Sequence, residues 1–210
     1  MQTPANTLRL YWFPLSGHSH RAELMLSLLG LTFEKVVVNL PEREQKQAGF
    51  LAKNAFGQVP VLEDGDVTIA DSTAILVYLA KRYDLAGRWL PEEAAPAAEV
   101  QRWLSVASGP LMQGPALARA SVVFRKQPDA AACERAQQLL AILEAQLEKR
   151  DYLVGSEPTI ADVALYTYCA HVPEGGVSLE PYAAVRAWLA RVEGLPGFVG
   201  MRKSSLPDVA

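Results

Sequence analysis

The sequence predicts two regions of different class, a small α/β domain followed by an all-helical one. Three observations carry this. β-prone and helical segments alternate up to residue 84. Gly87, Pro91 and Pro96 then punctuate residues 85–96. Every later periodic segment is helical. The expected domains are 1–84 and 97–210, joined by a linker at 85–96.

Leu8–Phe13 (LRLYWF) is a β-prone run that Pro14 ends, with Ser16 and Gly17 as turn residues. From His18 to Leu29 the apolar residues Ala22, Met25, Leu26, Leu28 and Leu29 recur at helical spacing, and Gly30 stands where a closing glycine belongs. Phe33–Asn39 (FEKVVVN) predicts a second strand, which makes a strand-helix-strand unit. Residues 41–54 are polar and carry at most a weak helix. Val59-Pro60-Val61-Leu62 predicts a strand, Glu63–Asp66 its turn, and Val67–Ile69 the return strand of a hairpin. A proline in a strand pattern is confined to edges, bulges and special turns, so Pro60 is a candidate for a cis peptide. From Asp71, the residues Ala74, Ile75, Tyr78 and Leu79 mark a helix closing near Arg82-Tyr83. The order βαβ then ββα is that of a thioredoxin-like domain, and other split βαβ folds share it.

In the second region, Glu134–Arg150 places Leu139, Leu140, Leu143 and Leu147 on one stripe, the mark of a core-facing helix. Thr159 followed by Asp162 resembles a capping box, with Asp for the usual Glu, and opens a helix through Ala164, Leu165 and Tyr168. Val185–Val192 is a further amphipathic segment. Gly109-Pro110 and Gly114-Pro115 interrupt an otherwise helical stretch, so a kink or two shorter helices are expected there.

Composition narrows the function classes. Half of the 210 residues are hydrophobic, and 20 Lys and Arg against 23 Asp and Glu leave a net charge of −3. That balance argues against general nucleic-acid binding, which needs a basic face. Two cysteines, Cys133 and Cys169, exclude a disulfide scaffold and fit a reducing compartment. No stretch approaches the roughly 18–20 apolar residues that span a bilayer. The opening MQTPANTLRL lacks the pattern of a secretory signal. The expectation is a cytoplasmic protein with no membrane partner.

The most informative stretch for chemistry is NAFGQVPVL (54–62), then DGD (64–66), then ADSTAI (70–75). Asp71 and Ser72 stand at a helix start, where either serves as an N-cap. The same N–H groups and hydroxyl suit a ligand carboxylate, and an adjacent Asp suits an ammonium. A carboxylate and an ammonium on one carbon describe an α-amino acid. Val59, before a cis proline, offers backbone N–H and C=O to an extended peptide. Together these describe a site for a small peptide with a free amino-acid end. His18 and His20 form an H-x-H pair, but no Cys, Asp or third His follows at metal-ligand spacing, so no metal is expected.

These motifs, with YWFPLSGHSHRAEL (11–24) and TIAD (159–162), resemble the cytosolic glutathione S-transferases over nearly the whole chain. The resemblance implies glutathione as co-substrate, bound in the first domain. It also implies a small hydrophobic electrophile between the domains, and a homodimer. Asp71 and Ser72 match the acidic residue and Ser that hold the γ-glutamyl end. Val59 matches the residue whose backbone pairs with the cysteinyl part, and Pro60 the cis proline after it. Gln58 matches a side-chain contact of theta-, phi- and zeta-like members, and Gln45 and Lys46 lie where these place a group near the glycine carboxylate.

The chemical step is thiolate formation. A cysteine thiol has a pKa of about 8.5, and lowering it by two units corresponds to about 2.7 kcal/mol in favour of the anion. A hydroxyl donating to the sulfur supplies part of this. The strand tyrosine of alpha-, mu- and pi-like members is replaced here by Trp12, and Tyr11 is one residue off, on the other face of its strand. In the serine-type classes the hydroxyl follows the strand, which points to Ser16 as the catalytic residue and to Ser19 as second candidate. The zeta-type Ser-Ser-Cys is absent, which argues against a maleylacetoacetate isomerase. By the same resemblance the second pocket draws on residues 103–120 and 166–171, with Met112, Arg119 and Tyr166 as candidates. The implied function is glutathione conjugation, with peroxide or disulfide reduction as further activities. The alternative is a non-catalytic glutathione-binding or regulatory module of the same fold.

Overall fold

A computed structural model describes residues 7–204. The chain forms two compact units, one running through Leu90 together with Pro196–Arg202, the other Pro91–Leu195 together with the residues from Lys203 onward.

The first unit is a four-stranded mixed sheet of order β2-β1-β3-β4. β1 (Leu8–Trp12) runs parallel to β2 (Phe33–Val37), and β3 (Val61–Asp64) runs antiparallel to both β1 and β4 (Val67–Ala70). β1 alternates as its sequence requires, with Leu8 and Leu10 fully buried and Arg9 exposed. β2 lies at the sheet edge and ends at Val37, two residues short of the expected Asn39, because only β1 pairs with it. β3 starts at Val61 rather than Val59, and its ladder runs through Glu63 and Asp64. The turn is accordingly Gly65-Asp66, with Gly65 at a φ of 59°.

α1 (Gly17–Leu28) includes Gly17, expected as a turn residue. It closes on Gly30 (φ 63°), where Leu31 N–H donates to the Leu26 carbonyl at 3.0 Å and Gly30 N–H to Ser27 at 2.8 Å. Between β2 and β3 the polar segment contains a 3-10 turn at Glu44–Lys46 and the single turn α2 (Ala48–Leu51). α3 (Ser72–Tyr83) packs beside α1, with Ile75, Leu76 and Leu79 buried. This thioredoxin-like arrangement brings the amino termini of α1 and α3 to each other.

The second unit is helical: α4 (Ala94–Ser108), α5 (Leu117–Val123), α6 (Ala130–Leu147), α7 (Ile160–Ala170) and α8 (Ala183–Glu193). α4 begins inside the stretch read as a linker, since Pro96 falls in its first turn, where a missing N–H costs nothing. The Gly-Pro stretch resolves into two helices joined through a π turn at Met112–Ala116 that contains Pro115. A Cβ on Gly114 would sit 2.8 Å from the Ala136 nitrogen, so a glycine there lets the turn touch the α6 backbone. The α6 stripe of Leu139, Leu140, Leu143 and Leu147 is buried, as are Trp103 and Leu104 of α4. The Thr159–Asp162 capping box forms, with both reciprocal bonds present. Among the described residues no helix is long and apolar enough to cross a membrane.

Candidate functional site

Asp71 is both the cap of α3 and a backbone outlier, at φ 78° and ψ 130°. A non-glycine residue is held there only where its surroundings compel it. Its Oδ1 accepts from the N–H of Thr73 at 2.8 Å, the N–H of Ala74 at 3.0 Å and the Thr73 hydroxyl at 2.5 Å. Partial burial alone would raise this carboxyl, but these bonds and nearby Arg21 outweigh it and hold the group below its usual value. Oδ2 makes no hydrogen bond among the described residues. Capping therefore occupies one oxygen and leaves an ionised one for a cation. The Ser72 N–H likewise has no partner among them, so an unused donor lies beside the acceptor at the positive end of a twelve-residue helix.

The Ser72 side chain is buried and already engaged. Arg21 Nη1 donates to its Oγ at 2.8 Å, and His18 Nδ1 lies 3.0 Å from the same atom. Arg21 is 1% exposed. Burial first, and then the Arg21 charge, push the His18 ring down to about 3, against the opposing pull of Asp71. His18 is thus neutral at physiological pH. His20 is turned elsewhere, its Nε2 lying 2.9 Å from the Val199 carbonyl, so the H-x-H pair does not converge. Arg21 is the residue that sequence reading passed over. Its signal was the only Lys or Arg side chain in α1, three residues after His18.

Ser16 caps α1, its Oγ accepting from Ser19 N–H at 3.2 Å. Capping uses a lone pair and leaves the hydroxyl proton for another acceptor. Ser19 is fully buried, and its Oγ accepts from Phe13 N–H at 3.1 Å. Tyr11 is committed to the opposite side of the sheet, where its hydroxyl donates to Glu63 at 2.9 Å and its ring meets Phe50 edge-on. The Trp12 ring lies 4.7 Å from Lys35 Nζ.

The Val59–Pro60 peptide is cis. Among the described residues neither the N–H nor the C=O of Val59 is hydrogen-bonded, although Val59 stands two residues before a paired strand. The preceding loop is braced by Asn54, whose Nδ2 donates to the Gln58 carbonyl at 2.8 Å, leaving the Gln58 side chain exposed. Lys46 Nζ donates to the Phe56 carbonyl at 2.9 Å. A Cβ on Gly57 (φ 59°) would lie 2.7 Å from the Gln45 carbonyl oxygen, so this glycine lets Gln45 and Lys46 close on the 54–60 loop. Gln45 Oε1 is buried there without a partner among the described residues.

Of the second-pocket candidates, Arg119 is buried in an ion pair with Glu174 at 2.8 Å, and Tyr166 is buried with its hydroxyl donating to Glu193 at 3.0 Å. Met112 lies partly exposed in the π turn.

Residues 6–81 match the family described as glutathione S-transferase, N-terminal domain, and residues 94–196 match its C-terminal domain. Glutathione S-transferase 3 of Zea mays is 36% identical over 204 residues, covering 91% of this chain and 91% of that protein. The theta-1 glutathione S-transferase of Rattus norvegicus is 28% identical over 207 residues, or 90% of this chain and 84% of its own length. A crystal structure of a glutathione S-transferase from Pseudomonas fluorescens superposes with a TM-score of 0.88 at 32% identity, covering 93% of this chain and 99% of that one. With both domains matched in order and homologous over nine-tenths of its length, the chain belongs to the cytosolic glutathione S-transferase superfamily and is a glutathione S-transferase enzyme.

Proposed function

We propose that this enzyme conjugates glutathione to small hydrophobic electrophiles, with Ser16 as the group that stabilises the thiolate. The supporting observation is the unused bonding capacity around α1 and α3. Ser16 retains its hydroxyl proton, Ser72 N–H is unpaired among the described residues, and Asp71 keeps one ionised oxygen. The glutathione α-carboxylate lies on the Ser72 N–H and its ammonium on Asp71. The cysteinyl backbone pairs with the N–H and C=O of Val59 as a short added strand, beside Pro60. Gln58 borders the peptide, and Gln45 and Lys46 meet its glycine end. The Ser16 hydroxyl donates to the sulfur and holds it as the thiolate that attacks the electrophile. The same thiolate supports peroxide and disulfide reduction. The enzyme acts as a homodimer in the cytoplasm, disposing of reactive compounds. Residues 1–84 and 97–210 act as its glutathione-binding and helical domains.

Ser16→Ala is expected to lower kcat/KM toward a model aromatic halide by about ten- to a hundredfold near neutral pH. The deficit shrinks as pH rises toward the free thiol value of about 8.5, where glutathione ionises unaided. An unchanged pH–rate profile would remove Ser16 from the mechanism. A second variant separates grip from cap. Asn caps a helix as well as Asp does, so Asp71→Asn is expected to leave Tm nearly unchanged. It raises KM for glutathione by about tenfold or more, since a charge-assisted bond contributes about 1.5–3 kcal/mol. Thermal melts and glutathione titrations measure the two effects.

A further inference from the structure

The segment between β2 and β3 carries Gln45, Lys46 and Gln58, yet it has little regular structure. Its 3-10 turn and the four-residue α2 are too short to persist alone. Lys46 donates to the Phe56 carbonyl, Asn54 Nδ2 to the Gln58 carbonyl and Phe56 N–H to Asn54 Oδ1. These bonds close within the segment and shape it without tying it to the sheet. Two features do tie it. Phe50 of α2 is buried with Val38 and Val61, and Tyr11 and Val59 pack against these three. Beside this plug, Lys53 Nζ pairs with Glu63 Oε1 of β3. Glu63 Oε2 accepts from the Tyr11 hydroxyl at 2.9 Å, and Lys53 Nζ lies 4.8 Å from the centre of the Tyr11 ring. One carboxylate oxygen is thus taken by the segment and the other by β1. Partial burial by itself would raise the Glu63 carboxyl, but Lys53 and Tyr11 outweigh it and hold the group below its usual value.

We propose that Lys53, Glu63 and Tyr11 are positioning residues that latch the 40–58 segment to the sheet and so set the affinity for glutathione. This rests on the proposed function and adds a control to it. The Lys53 ammonium is engaged by Glu63, so it acts through the chain beside it rather than on the ligand. Asn54, the next residue, braces the loop. Val59, whose backbone serves the cysteinyl part, packs against the plug that the latch keeps seated. A segment that leaves the sheet withdraws Gln45, Lys46 and Gln58 from the glycine end and frees Val59 to turn. Ser16 and Asp71 cap other elements, α1 and α3, so the thiolate step is unchanged once glutathione is bound. A latch contributing about tenfold to closure, on a segment closed in about half to nine-tenths of molecules, changes apparent affinity by about two- to fivefold.

The first test needs no ligand. In Lys53→Met, amide hydrogen exchange is expected to quicken about two- to fivefold over residues 44–58 and to stay as in the wild type in β1, α1 and α3. Unchanged exchange in the segment, or equal acceleration throughout the first unit, overturns the proposal. Glu63→Gln keeps an acceptor for Tyr11 and should behave as Lys53→Met does, with the double variant no worse than either single one. Additive effects overturn the pairing. The second test is kinetic. Lys53→Met is expected to raise KM for glutathione about two- to fivefold with kcat at saturation unchanged, and Lys53→Arg to retain most of the affinity. No change in KM, or a fall in kcat equal to that in kcat/KM, overturns it. Should Lys53→Met fail to fold, Glu63→Gln carries both measurements. Should the wild type not bind glutathione in a calorimetric titration, the proposed function fails and exchange alone decides the latch.

Discussion

Asp162→Ala is expected to destabilise the protein by about 3–5 kcal/mol, with Tm falling on the order of 10 °C. The Asp162 carboxylate is fully sequestered and accepts from Leu153 N–H, Thr159 N–H and Trp188 Nε1, each at 2.9 Å, and from the Thr159 hydroxyl at 3.3 Å. It ties the loop before α7 and the indole of α8 to the first turn of α7. Alanine leaves these donors buried with nothing to receive them, and each stranded donor costs about 1–3 kcal/mol. Asp162→Asn is expected to lose less. Its carbonyl still serves Leu153 and Trp188, while its amide confronts the donors of Thr159. Urea unfolding should show a lower midpoint at constant slope. A loss below about 1 kcal/mol would mean that the surrounding loop relaxes to water.

The Arg119–Glu174–His171 group gives the second large effect, and a pH signature. Glu174 Oε2 accepts from Arg119 Nε at 2.8 Å and Oε1 lies 2.5 Å from His171 Nδ1, with all three side chains buried. Arg119 also donates to Ser204 at 3.1 Å. Burial by itself would raise the Glu174 carboxyl, but His171 and Arg119 outweigh it and hold the group at about 2. Its value in the unfolded chain is about 4.3. The folded value is the lower one, so the stabilisation is complete above about pH 4.5 and fades as pH falls toward 2. Glu174→Gln strands the buried Arg119 charge and is expected to cost about 3–5 kcal/mol at neutral pH. The gap between variant and wild type should narrow on acidification through that window. A gap independent of pH would mean that the carboxylate charge contributes nothing.

The fold was legible because local patterns agreed with one another. Alternation in β1, the closing Gly30 and the leucine stripe of α6 each carry a period or a backbone demand that a single sequence displays. The edges were less so. The length of β2 depends on a partner present on one side only. The start of β3 depends on where pairing with β1 begins, and the span of α4 on Pro96 being harmless in a first turn. In the candidate site, Asp71, Ser72 and Val59 stood out because capping residues and an X-Pro step are local signals. The burial of Arg21 against Ser72 is a contact across 51 residues, set by how α1 and α3 pack, and no window of sequence contains it. The same holds for Arg119, a second-pocket candidate by resemblance, whose guanidinium pairs with Glu174 across 55 residues.

The stretch Pro196–Arg202 belongs to the first unit, and α1 shows why. His20 Nε2 lies 2.9 Å from the Val199 carbonyl, Ser27 Oγ donates to the Gly197 carbonyl at 2.6 Å, and a side chain on Gly197 (φ 85°) would collide with the Ser27 backbone. The amino-terminal body is therefore finished by residues that follow the described helices of the second unit in the chain. During translation it waits, with one flank of its first helix uncovered, until every helix of the second unit has been synthesised. A gene fragment cut at residue 90 encodes a body missing its final brace.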